Sequence, residues 1–174
     1  MTRSNPIHVL FLCTHNSARS ILAEALLNHV GGERFKAYSA GSSPRENQKP
    51  NPFALQALQN AGVPTAGLHS KSWDVFSTAA PRDPESPTMD LIITVCDNAA
   101  GEACPLWTGW PAQAAKAHWG YADPSETQGT DAQKLAAFAD TLHLIRVRIE
   151  RFVQFAGDTT DKPTLQAIAH GLAL

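Results

Sequence analysis

Cysteine is scarce in this chain, with three residues among 174. So few thiols, and an odd number of them, exclude the disulfide framework on which small exported domains rely. No apolar run approaches the roughly 20 residues that a membrane-spanning helix needs. Neither charge sign is in surplus, with 14 Lys and Arg against 16 Asp and Glu. The basic face of a nucleic-acid binder is therefore missing. The stretch from Met1 to Pro6 lacks the apolar core of an export signal, so a cytoplasmic setting with reactive, reduced thiols is expected. Repeats and a second zone of composition are absent too. The chain reads as one domain over 1–174, long enough for a real core, with a peripheral tail over 157–174.

What is present is concentrated in one segment. The apolar run Val9-Leu10-Phe11-Leu12 ends at Cys13, Arg19 follows across Thr14, His15, Asn16, Ser17 and Ala18, and Ser20 opens a helix-like stretch. A strand that turns directly into a helix leaves several backbone N–H groups aimed into one hollow, where the helix dipole adds positive potential. Such a hollow holds phosphate-like anions. Arg19 adds a planar fork that grips two oxygens at once. Cys13 sits in the same field, which favours thiolate over thiol. Asn16 suits a left-handed turn position. Ser17 and Ser20 offer hydroxyls to the loop or to the sulfur. A bare match of cysteine and arginine at this spacing would also fit a buried cysteine beside an unrelated arginine. The strand, the polar filler and the helix shift the balance toward an oxyanion cradle with a nucleophile at its floor.

Strands are expected at Ile7 to Leu12, Phe35 to Ala40, Leu91 to Val95 and Lys116 to Trp119, and helices at Ser20 to Val30 and Pro52 to Ala61. A short helix is expected over His69 to Val75, a surface connection over Thr78 to Thr88, and a last helix over Pro163 to His170. Thr130 with Gln133 forms a capping box for the longest helix, whose Leu135, Phe138, Leu142, Ile145, Ile149 and Phe152 make one buried face. Strands alternating with helices give a doubly wound parallel α/β sheet. In such sheets ligands bind beyond the carboxyl ends of the strands, where Cys13, Cys96 and Asp123 would gather.

The pieces Cys13-Thr14-His15-Asn16-Ser17-Ala18-Arg19-Ser20, Ser39-Ala40-Gly41, Val95-Cys96-Asp97-Asn98, Cys104-Pro105 and His118-Trp119-Gly120-Tyr121-Ala122-Asp123-Pro124 carry a resemblance. The chain resembles arsenate reductases of the low-molecular-weight protein tyrosine phosphatase-like family. The loop is common to the phosphatases; the later cysteines and the His-Trp-Gly segment narrow the likeness to the reductases. The resemblance implies a four-stranded parallel sheet flanked by helices. It also implies that Cys13 attacks arsenate, that Arg19 and the loop amides from Thr14 to Ser20 hold its oxygens, and that Asp123 protonates the departing oxygen. Cys96 would then resolve the Cys13 adduct and Cys104 would follow. The outside reductant would be thioredoxin, or glutathione with glutaredoxin.

The chain departs from the phosphatases in having Ala18, His15, Ser125 and Glu126 where they carry a second cysteine, a glycine and tyrosines. Some relatives bind potassium near the loop. Asn16, Glu24 and Ser39 match part of that site, but His69 to Ser72 brings no carboxylate, and Lys71 would supply the charge. No metal and no cofactor are expected. Three readings stay open: a reductase, a phosphatase with incidental cysteines, and a non-enzymatic oxyanion or zinc module using Cys13, Cys96, Cys104 and His118.

Overall fold

A computed structural model describes residues 5–76, 88–96 and 115–173. Cys104 and the connection expected over Thr78 to Thr88, apart from its last residue, lie outside the described residues. Four parallel strands form one sheet: β1 (Ile7–Cys13), β2 (Phe35–Gly41), β3 (Leu91–Thr94) and β4 (Ala115–His118), in the order β2-β1-β3-β4. The register pairs Cys13 with Gly41 and Thr94 with His118. This is the expected parallel sheet. The chain passes from one side of β1 to the other, and at that switch point a crevice opens beyond the carboxyl ends of the strands.

Strand alternation sorts the side chains. Val9, Phe11, Leu91, Ile93, Ala117 and Trp119 join the larger cluster, together with α1 (Arg19–Val30), α2 (Pro52–Asn60) and α3 (Asp131–Ala156). Leu10, Leu12, Ala40, Met89 and Ile92 face the other way and meet Phe76. Helix α1 is buried nearly all round, as a central helix should be. Helix α3 starts at the expected capping box, Thr130 with Gln133. Its buried stripe runs through Phe138, Leu142, Ile145, Ile149 and Phe152.

Two expectations need correcting. The helix expected over His69 to Val75 is a 3-10 turn at Trp73–Phe76, preceded by an extended strap. The strap cannot be helical because its polar groups are spent elsewhere. The Ser70 hydroxyl donates to the Asn16 carbonyl at 2.6 Å, the Lys71 N–H to Asn16 Oδ1 at 3.0 Å, and the Gly41 N–H to the Lys71 carbonyl at 2.9 Å. The tail, read as peripheral, forms α4 (Lys162–Gly171), which seats fully buried Leu165 and Ala169 in the main core. The Trp119 indole N–H donates to the Ala169 carbonyl at 2.9 Å. Along the outer rim of β4, the Lys116 N–H donates to Gln166 Oε1 at 3.0 Å and His170 Nε2 meets the Lys116 carbonyl at 2.7 Å. Deleting the Leu165 side chain would leave a cavity between α4 and the sheet. Leu165→Ala is expected to cost about 2–5 kcal/mol, read as a lower midpoint in urea unfolding.

Candidate active site

The loop from Cys13 to Arg19 wraps the end of β1 and enters α1 at Ala18. Helices α2, α3 and α4 are each capped by a side chain, Asn51, Thr130 and Asp161, whereas α1 has no side-chain cap. Its uncapped N-terminus is the one that adjoins Cys13, so its dipole acts on the sulfur and on whatever anion sits above it. Cys13 is a free, buried thiol. Its Sγ lies 2.9 Å from Ser20 Oγ and receives the Asn16 N–H at 3.1 Å. Asn16 has φ 57°, the left-handed conformation expected for it. That twist lets Asn16 Nδ2 reach Ser20 Oγ at 2.8 Å while its N–H points at the sulfur.

The loop is braced from behind. The Ser42 N–H donates to the Cys13 carbonyl at 3.0 Å, Ser43 to Thr14 at 2.8 Å, and Asn51 to Ser17 at 2.8 Å. His15 Nδ1 meets the Ser43 carbonyl at 2.9 Å. The Lys71 ammonium donates to the carbonyls of Ser39 and His69, both at 2.9 Å, and lies 3.8 Å from Glu24 Oε1. Glu24 in turn accepts from the Ser39 hydroxyl at 2.9 Å. Burial pushes the Glu24 carboxyl up and the Lys71 ammonium down, and each charge offsets part of the other's shift.

Gly41 holds a closer constraint. A Cβ there would stand 2.6 Å from the Thr14 carbonyl oxygen and 2.9 Å from the His15 carbonyl carbon. Both are backbone atoms, so a methyl group displaces the cradle. Gly41→Ala is therefore expected to lower kcat/KM by about 100-fold, because small misplacements of reacting groups are costly. Circular dichroism should show the fold retained.

Arg19 is buried and turned toward the loop that follows β4. Its NH1 donates to the Tyr121 carbonyl at 2.9 Å, and its NH2 lies 3.6 Å from Asp123 Oδ2. The other carboxylate oxygen of Asp123 accepts from the Ser125 N–H at 2.9 Å and the Ser125 hydroxyl at 2.7 Å, capping the turn Pro124–Glu126. Cys13 and Arg19, on one loop, thus meet Asp123, about a hundred residues on, at one sheet edge. Cys96 lies two residues beyond the end of β3, fully buried, and is disulfide-bonded. In that state it offers no thiolate to a zinc ion. Cys104 lies outside the described residues.

The mouth is a cavity of about 760 Å³, lined by His15, Ser17, Arg45, Lys49, Asp123 and Glu126 among others. Among the described residues, none that lines it is aromatic. Lys71 stands where the sequence placed a positive charge, beside Glu24 and Ser39, whereas the sequence assigned no role to the brace through Ser70 and Gly41. The one available signal was the glycine directly after the buried strand end Ser39-Ala40.

The family model for low molecular weight phosphotyrosine protein phosphatases matches residues 8–162. An arsenate reductase of Bacillus licheniformis is 34% identical over 147 residues, covering 84% of this chain and 94% of that protein. One from Bacillus subtilis is 32% identical over 148 residues, with the same coverage. Among solved structures, an arsenate reductase from Archaeoglobus fulgidus superposes with a TM-score of 0.62 at 26% identity, over 84% of this chain and 98% of that one. With most of its length matched and its sheet edge arranged in this way, the chain belongs to the low molecular weight phosphotyrosine protein phosphatase family.

Proposed function

We propose that this enzyme reduces arsenate to arsenite, using Cys13 as nucleophile and its other thiols as the electron source. The observation that carries this reading is the redox state of the sulfurs. Cys13 is a free thiol at the floor of the cradle while Cys96 is held in a disulfide. A phosphatase needs one thiol and water. A reductase must hand two electrons to arsenic, and a pair of thiols does so by becoming a disulfide.

Arsenate enters the cradle, its oxygens held by loop amides from Thr14 to Ser20 and by the Arg19 fork. The Cys13 thiolate forms a bond to arsenic(V), and an oxygen leaves as water with a proton from Asp123. The Cys96 thiolate attacks Cys13 Sγ. A sulfur–sulfur bond forms, the sulfur–arsenic bond breaks, and its electron pair stays on arsenic, which leaves as arsenite. Cys104, the chain's remaining cysteine, then attacks Cys96 and frees Cys13. A free Cys13 beside an oxidised Cys96 is the state on which this cycle ends. An outside dithiol such as thioredoxin, or glutathione with glutaredoxin, resets it.

The mouth supports a small inorganic substrate. A phosphotyrosine ring needs apolar walls, and the described lining residues offer charges, amides and prolines. The test is arsenite production by the purified protein, assayed separately with thioredoxin plus its reductase and with glutathione plus glutaredoxin. Turnover with either system supports the reading. Steady hydrolysis of p-nitrophenyl phosphate without any reductant, and no arsenite with either, would replace it with a phosphatase.

A further inference from the structure

A charged side chain leaves water reluctantly unless it is paired. Arg148, half-buried on α3, has no ion pair among the described residues, and neither has Arg151 one turn on. The acid between them, Glu150, is taken by Arg146 at 2.9 Å. The Arg148 guanidinium carbon instead lies 4.8 Å from the centre of the Tyr121 ring and 5.7 Å from that of Trp119. Two buried rings thus fix the fork in place.

Beside it a cavity of about 530 Å³ opens between the segment after β4, α3 and the end of α4, and Tyr121, Arg148 and Arg151 line it. Leu144, Val147 and Leu172 supply an apolar wall. Tyr121 is 6% exposed, and its hydroxyl and Arg148 Nη1 are both buried with no hydrogen-bond partner among the described residues. Native interiors rarely leave such atoms unused. Burial pushes the Tyr121 phenol up to about 12, and Arg148, near enough to offset part of that rise, does not complete a bond to its oxygen. The phenol is therefore neutral and keeps a proton to donate. Among the described residues, none that lines this cavity lines the mouth of the cradle. The two are linked all the same, because the Tyr121 carbonyl receives the Arg19 N–H at 2.9 Å.

We infer that this cavity is a second anion site, taking a small organic carboxylate whose headgroup lies on Arg148 and Arg151 and whose apolar body lies on Leu144, Val147 and Leu172. A planar guanidinium fork matches the geometry of a carboxylate. The volume suits a small molecule. An inorganic oxyanion would leave the apolar wall wet, and a neutral apolar molecule would leave both positive charges unpaired. A carboxylate also brings the acceptor that the Tyr121 hydroxyl and Arg148 Nη1 lack.

The full-length protein, reduced and isotope-labelled, is titrated with benzoate at neutral pH while its backbone amide signals are followed by NMR. Signals of Gly120, Tyr121, Gly171 and Leu172, with the Trp119 indole N–H, are expected to shift together and saturate. Arg148→Gln is expected to weaken binding by about 10-fold or more, the scale of a charge-assisted hydrogen bond. Leu144 is 59% exposed, so Leu144→Glu keeps the fold. Its added negative charge is expected to weaken binding by about threefold or more. Benzyl alcohol, of similar shape but uncharged, is expected to bind at least about 10-fold more weakly than benzoate. Benzyl alcohol binding as tightly as benzoate, or parent-like affinity in either variant, would overturn the inference. So would the lack of any saturable shift at these residues, or shifts confined to the cradle from Cys13 to Ser20.

Discussion

Cys13→Ser is expected to lower arsenite formation by at least about 1,000-fold while arsenate still binds. The hydroxyl fits the space of the sulfur, which is buried between Ser20 Oγ and the Asn16 N–H, so the loop should keep its shape. What disappears is the sulfur nucleophile: a hydroxyl in its place attacks far more weakly, so the covalent step is lost. Groups that act as a unit lose nearly everything when one is removed. The measurement is arsenic speciation after incubation with reductant, alongside a binding titration with phosphate as a stand-in oxyanion. Arsenite at the parent rate from the serine variant would sink the nucleophile assignment. Loss of anion binding as well would mean that the substitution had collapsed the cradle.

Cys96→Ser is expected to stop turnover at a different point. Cys13 still bonds to arsenic, but the sulfur that should take over is gone, so no electron pair reaches the metalloid. Less than one arsenite per chain should form with thioredoxin as reductant, and the steady-state rate should drop by about 100-fold or more. Any hydrolysis of p-nitrophenyl phosphate, which on the proposed reading draws on Cys13, Arg19 and Asp123, should be untouched. That contrast separates the two halves of the chemistry. Sustained arsenite release from Cys96→Ser with thioredoxin would show that Cys13 is resolved by an outside thiol instead.

Much of the site was legible in the sequence because its parts are local. The distance along the chain from Cys13 to Arg19 is short enough for one loop, and an apolar strand followed by a helix leaves little choice of geometry. Asn16 announced its left-handed turn, and Thr130 with Gln133 its helix start. Asp123 was legible because the strand before it ends on the same sheet edge as Cys13. The rest depends on contacts across the chain. The strap at Ser70 and Lys71 has a polar, helix-compatible sequence, and only its distant partners Asn16 and Gly41 hold it extended. The pairing of Thr94 with His118 follows from strand register, which no single segment encodes. The tail misled for a related reason. Leu165 and Ala169 are too few to signal core burial alone, and their partner Trp119 lies 50 residues away.

The docking of the last helix on β4 reaches beyond stability. An outermost strand normally presents a ladder of vacant amides and carbonyls that invites another molecule to add itself. Here Gln166 and His170 occupy the two backbone groups of Lys116, so the tail serves as a guard against self-association. A chain ending before Lys162 would bare that rim, and loss of solubility would be its first symptom, ahead of any loss of chemistry.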